Sequence, residues 1–215
     1  MSAPVFLAES QDLSHYVAGQ FFELDGEEGR HAGVVQRRQV GEALDVVDGA
    51  GHRLRCVISS VNQSHLVLEI RESVQEAHDP YEFVLVQALA KGDRDELAIE
   101  AATEVGVDGV VPWQADRSIV IWRGARAAKS LARWAATVRS ATKQARRARI
   151  PFVEQPQDSK RLAQWTREVV QQGGVVIVLH EEATTAVGKI ELSCATFERC
   201  CCACCFDCGP RRRND

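Results

Sequence analysis

No apolar run of about 18 residues occurs in the 215-residue chain, so no transmembrane helix is expected. No basic-then-apolar leader opens it either, and a cytoplasmic protein without a membrane partner is the resulting expectation. Cysteine is nearly missing from the body. Seven of the eight lie between Cys194 and Cys208, and only Cys56 precedes them, so the body carries no disulfide or zinc framework. No HExxH zinc motif is present. Acidic residues are missing from Arg123 to Arg149, a stretch holding nine Arg or Lys. The net charge of −4 hides that asymmetry and does not argue against a nucleic-acid partner.

What is there reads as an ordinary soluble protein of one large or two small domains, with 45% hydrophobic and 26% charged residues. Its organising stretch is Phe83 to Ser118. Phe83 to Leu89 is short and apolar, as suits a strand buried on both faces. Lys91-Gly92-Asp93 breaks it, and Asp93 with Glu96 forms a capping-box pattern that predicts a helix start. Leu97, Ala98, Ala101, Ala102 and Val105 share one helical face, and Gly106 supplies the C-cap. Val107 to Val111 makes a second strand, stopped by Pro112. The unit is β-α-β, and open sheets of such units bind ligands beyond the carboxyl ends of their strands. Lys91, Arg94 and Arg117 fall at such ends.

Before this stretch the chain looks all-β. Asp48-Gly49-Ala50-Gly51 is a hairpin turn between Val46-Val47 and Leu54–Ile58, and Leu66–Ile70 is a further strand. Short strands so spaced suggest a small barrel over residues 1–72, and the polar segment 73–80 reads as a linker. After it, one Ala-rich helix is predicted from Ala125 to Arg149, halted before Pro151. Leu131, Trp134, Val138, Ala141 and Ala145 cluster on one side; Arg126, Lys129, Arg133, Lys143 and Arg147 line the other. That basic face suits an RNA backbone, or else is a solvated surface. Residues 158–172 read as a helix with Leu162, Trp165 and Val169 on one face, and Val175–Leu179 as a buried strand.

Gln87-Ala88-Leu89, Lys91-Gly92-Asp93-Arg94, Glu104, Gly106-Val107, Pro112 and Arg117-Ser118 together resemble the RsmE family, which methylates N3 of a uridine in 16S ribosomal RNA with S-adenosylmethionine. More thinly, the likeness covers residues 20 to 192. It implies an α+β two-domain protein: a PUA-like RNA-binding β-barrel (1–72), then an α/β domain of the SPOUT, trefoil-knot type (81–193). It implies a homodimer acting on the small ribosomal subunit. Lys91, Arg94 and Arg117 become candidates to favour a developing uracil anion. Leu179, His180 and Glu181, at the carboxyl end of a strand, become candidates for the cofactor pocket. His31, Arg37 and Arg38 match a family segment, with Gln36 where Leu is usual, and are candidate RNA contacts. Arg133-Trp134 and Gln144-Ala145-Arg146-Arg147 match another and add Arg146 to the RNA set. No metal is expected.

Beyond Leu192 the family pattern should give Gly-Pro-Glu-Gly-Gly and a further Leu-Gly segment that wrap the cofactor. Residues 194–215 read CATFERCCCACCFDCGPRRRND instead, a composition that predicts no ordinary fold element. Displacing the reading frame by one base permits Val or Ala from each Cys-Cys pair, then Gly-Pro-Glu-Gly-Gly from Gly209 to Asn214. The tail is therefore read as an out-of-frame translation that leaves the domain incomplete and the chain inactive. Two alternatives stand: an RNA-binding protein without catalysis, and zinc binding through the CxxC at Cys205–Cys208, which lacks a second ligand pair at ribbon spacing.

Overall fold

The computed structural model describes residues 3–8, 11–79, 81–180, 182–184, 186, 189 and 199–204. The chain forms two compact units, Met1–His78 with Thr142–Ile150 and Asp79–Ala141 with Pro151–Asp215.

In the first unit, β1 (Val5–Leu7), β2 (Phe21–Leu24), α1 (Gly26–Arg30), β3 (Ala43–Val47), β4 (His52–Asn62) and β5 (His65–Gln75) follow in order. They make one sheet, β1-β3-β4-β5-β2, antiparallel except for the β1–β3 pair. The Asp48–Gly51 turn joins β3 to β4 as expected, with Asp48 Oδ1 accepting the N–H groups of Ala50 and His52. β5 continues to Gln75, so a strand occupies the start of the segment read as a linker.

The unit is not all-β. α1 runs on as a turn of π-helix over His31–Val35. This turn lies directly on the β4–β5 hairpin: a Cβ on Gly33 would stand 1.9 Å from the carbonyl oxygen of Gln63. Only glycine allows that approach. Alternation along β1 places Phe6 in the main core with Leu13, Phe22, Leu44 and Leu54. Val5 and Leu7 turn to the opposite side, where Val47, Ala148 and Ile150 complete a second cluster. Residues 142–150 are thus part of this unit's packing.

The second unit contains β6 (Glu82–Ala88), α2 (Arg94–Val105), β7 (Gly109–Gln114), α3 (Ala125–Gln144, whose residues from Thr142 on belong to the first unit), β8 (Phe152–Val153), β9 (Gln157–Asp158), α4 (Ser159–Gln171), β10 (Val175–Leu179) and β11 (Arg199–Cys204). The sheet is parallel throughout, in the order β10-β11-β6-β7-β8, with β9 also on β7. β6 is a buried central strand from Val84 on, and Gly106 ends α2 in the left-handed region at φ 114°. Leu162 and Val169 of α4 pack on Val84, Val86 and Val111, with Trp165 partly buried beside them.

Four expectations are corrected. Pro112 does not stop its strand but lies inside β7. β8 pairs with Gly109 and Val110 and β9 with Trp113 and Gln114, so the neighbouring chain breaks off opposite the missing Pro112 N–H. α3 ends at Gln144, not Arg149. Arg146 turns left-handed at φ 57°, its carbonyl accepts from Arg53 Nη2, and the Ala148 carbonyl accepts from Gly51 N–H. These tertiary bonds override the helical propensity of Ala-Arg-Arg-Ala-Arg. β10 is an edge strand, with Val178 exposed. Finally, Arg199–Cys204 of the Cys-rich tail is a strand, its Cys200 in register with Phe83 and Val175. A ladder uses backbone groups that every residue carries, whatever its side chain. Among the described residues no helix is long and apolar enough to cross a membrane.

Candidate functional site

Strand order locates the crevice. From β6 the chain moves outward to β7 and β8, then returns to the far edge as β10 and inserts β11 beside β6. The direction of winding therefore reverses between β6 and β11, and ligands of open parallel sheets bind at the carboxyl ends beside such a reversal. Three segments meet that rim: residues 89–93 after β6, residues 115–124 after β7, and His180 after β10.

After β6, Lys91 and Arg94 are exposed and have no ion-pair partner among the described residues. Asp93 occupies the N-cap position of α2 but makes no side-chain cap bond. Asp95, only 2% exposed, accepts the Glu96 N–H at 3.0 Å within the first turn. Burial pushes its carboxyl above its ordinary range, against the pull of nearby backbone N–H groups and of the Arg133 charge. Glu96, expected in the capping box, reaches instead to Arg133 Nε at 2.7 Å and joins α2 to α3. Asp95 carried no sequence signal beyond being one of several acids in a first turn.

After β7, Ser118 is the fastener. Its buried hydroxyl donates to the Leu89 carbonyl at 2.9 Å, tying the two loops together, and lies 3.0 Å from the Val120 carbonyl. Gln114 bonds the same loop twice: its Nε2 donates to the Val120 carbonyl at 2.8 Å, and its Oε1 accepts from Trp122 N–H at 3.1 Å. Trp122 then meets the fully buried Trp134 edge-to-face, centroids 5.3 Å apart. Arg117 stands exposed on this fastened loop, without an ion-pair partner among the described residues. Beside the reversal, the Gln87 side chain is 1% exposed; its Nε2 donates to the Ala88 carbonyl while its Oε1 has no partner among the described residues. A buried acceptor left open costs free energy and suits a ligand N–H.

Leu179 is the last residue of β10, and the exposed His180 accepts the Glu182 N–H at Nδ1. Glu181 lies outside the described residues, as does the Cys205–Cys208 CxxC. Among the described residues no three His, Cys, Asp or Glu come together as metal ligands.

The proposed RNA residues divide. Arg126, Lys129 and Arg133 are exposed on α3 within the second unit, Arg133 already paired with Glu96. Lys143, Arg146 and Arg147 belong to the first unit. Lys143 is held by Glu28 and sits 5.7 Å over the Phe6 ring, while Arg146 is exposed beyond the helix end. His31, in the π-turn, meets Gln36 at 3.0 Å; Gln36 accepts from Arg38, which also pairs with Glu42. Arg37 is exposed, left-handed at φ 53°.

Two family models match. One, an RNA methyltransferase PUA domain, covers residues 24–71; the other, an RNA methyltransferase domain, covers residues 77–203. The chain belongs to this RNA methyltransferase family. The match runs past Leu192, where the likeness read from the residues ends. The chain is 46% identical over 169 residues to the ribosomal RNA small subunit methyltransferase E of Mycobacterium bovis, covering 78% of this chain and 64% of that protein. It is 29% identical over 133 residues to the protein of the same name from Bacillus subtilis, covering 61% and 52%. It thus spans less than two thirds of the length of these curated relatives. In fold it is similar to a Neisseria gonorrhoeae ribosomal RNA small subunit methyltransferase E bound to S-adenosyl methionine, with a TM-score of 0.74, 24% identity, and coverage of 94% of this chain and 80% of that one.

Proposed function

We propose that the protein is built to transfer a methyl group from S-adenosylmethionine to N3 of a uracil in 16S ribosomal RNA. The observation that carries this reading is the fastened rim at the β6–β11 reversal, where Lys91, Arg94 and Arg117 project without ion-pair partners among the described residues. The relatives' names and the cofactor in the Neisseria structure support it.

The rim suits the cofactor. Gln87 Oε1 is a buried acceptor without a donor among the described residues, and Leu179 ends the edge strand β10 at this rim. Leu179, His180 and Glu181 would help to hold S-adenosylmethionine, which when bound supplies an electrophilic methyl group. The chain's own cations supply the complement. A uracil must lose its N3 proton, which passes to solvent, to become a nucleophile, and Lys91, Arg94 and Arg117 favour the anion left behind in a site where it develops. The Ser118–Leu89 bond between the two loops keeps those cations from having to be reorganised during reaction.

On this reading the first unit closes as a PUA-like barrel carrying RNA contacts at His31, Arg37 and Arg38, and Arg126, Lys129 and Arg133 form a second basic surface. The complete domain has the SPOUT trefoil knot and works as a cytoplasmic homodimer. The residues after Leu192 favour a second reading. They lack Gly-Pro-Glu-Gly-Gly, so the chain as it stands binds RNA without transferring methyl, and a frame restored upstream of Cys200 recovers activity. Transfer of labelled methyl groups to small ribosomal subunits tests both. Transfer by neither chain, with normal subunit binding, would leave RNA binding alone as the function.

A further inference from the structure

The loop after β7 presents its apolar side chains the wrong way round for a soluble protein. Ser118 is buried, Ile119 is 67% exposed, Val120 is partly covered, Ile121 is 45% exposed, and Trp122 turns in to Trp134. The alternation is enforced. Gln114 bonds both the Val120 carbonyl and the Trp122 N–H, Ser118 is anchored to the Leu89 carbonyl, and together these bonds fix which side chains face outward. Such a fastened display does not relax by turning the two isoleucines inward on their own loop. Arg117, Arg123 and Arg126 flank them, all exposed and without ion-pair partners among the described residues. The Ser118–Leu89 bond places the display on the rim of the candidate site.

Apolar side chains framed by unpaired arginines are the chemistry of a nucleic-acid strand with an unstacked base. The arginines take phosphates, which position without reading sequence. The isoleucines take the face of a base that has left its stack. A second protein copy would bring its own matching arginines to this patch, which charge repulsion disfavours. N3 lies on the pairing edge of uracil, so an enzyme acting there needs an unpaired base beside its site. We infer that Ile119 and Ile121 form a platform for an unstacked base of the RNA substrate, with Arg123 and Arg126 pinning the strand beside it. The inference rests on the RNA-methylating reading of the site.

The test measures binding of the 215-residue protein to fluorescein-labelled single-stranded oligouridylate, and to the same strand in a duplex, across a salt series. Ile119→Ser with Ile121→Ser, both at exposed positions, should weaken single-strand binding about tenfold, the scale of one base deprived of its platform. The salt slope should stay unchanged, because the phosphate-binding cations remain in place, and duplex binding should change little. Arg123→Ala should instead lower the slope by about 0.7. Replacement of Ile121 by Phe should keep or tighten single-strand binding. Unchanged affinity in the serine double variant, with Arg123→Ala still reducing the slope, overturns the platform while leaving the functional reading in place. A shift of the serine variant from dimer to monomer in sedimentation, at unchanged RNA affinity, overturns it in favour of a copy–copy interface. Failure of the parent protein to bind either RNA overturns both readings.

Discussion

Lys143 Nζ lies 2.7 Å from Oε1 and 2.8 Å from Oε2 of Glu28, closing a contact between residues 115 positions apart. Both side chains are largely covered, so the pair fastens the late segment 142–150 to α1 of the first unit. A lysine read from its helical position as an RNA contact is committed to the fold. Lys143→Ala should lower stability by about 1 to 3 kcal/mol, since Glu28 keeps its burial and loses its partner. The RNA salt slope should not move. Denaturant unfolding and salt-dependent binding check the two halves; an altered slope at parental stability would return Lys143 to the RNA surface.

Arg53 is the second fastener. Buried in β4, it pairs with Asp45 at 2.8 Å and Glu76 at 2.6 Å, and donates to the Arg146 carbonyl at 2.8 Å. Arg53→Ala strands a half-buried carboxylate at Asp45 and an unmet carbonyl. The expected loss is about 3 to 5 kcal/mol. Hydrogen exchange should report it first at the amides of β3 and β4, and protection equal to the parent's there would refute the role.

Exposed cations on α3 should behave oppositely. Changing Arg126, Lys129 and Arg133 to Glu should weaken binding to 16S-derived RNA and lower the salt slope by roughly 0.7 to 0.9 for each phosphate no longer neutralised. Stability should fall modestly, because Arg133 is exposed but its partner Glu96 is largely covered and would face a like charge. Filter binding decides: affinity and slope both unchanged would make this face a solvated one.

Asp95 predicts a pH dependence. Burial holds its carboxyl above the ordinary range, so between the ordinary and the raised value the folded state binds more protons than the unfolded. Its contribution is fully present below the ordinary carboxylate range and is lost as pH rises through the raised value. Asp95→Asn keeps an acceptor for the Glu96 N–H and cannot titrate. Its stability relative to the parent should therefore rise with pH across that window. Parallel urea-unfolding curves at every pH would show that burial does not perturb this group.

Much of the frame was legible because local chemistry and final structure agree. Asp48–Gly51 makes its hairpin, Gly106 caps α2, and Leu162 and Val169 face the core. Legibility ended where distant partners decide. The end of α3 depends on Arg53 and Gly51, nearly a hundred residues away, and nothing in Ala-Arg-Arg-Ala-Arg announces it. Leu97 and Val105 share an apolar helical face, yet both are exposed, while α2 buries Asp95, Ile99 and Thr103. The apolar pattern points to the wrong side there because alanines fit either. In the site, the positions of Lys91, Arg94 and Arg117 followed from strand ends. The fasteners Gln114 and Ser118 did not, since a polar residue in a loop gives no sign of which carbonyl it will meet.

On the proposed function, methyl transfer takes place at the rim joining the loops after β6 and β7. The most direct test is the single-turnover rate of methyl transfer from S-adenosylmethionine to small ribosomal subunits, measured for a frame-restored protein and for its Arg94→Ala and Arg117→Ala variants. Each substitution should slow transfer by about a hundredfold, as loss of one group stabilising a developing anion does, with the folded circular dichroism spectrum retained. Parental rates in both variants would contradict the account.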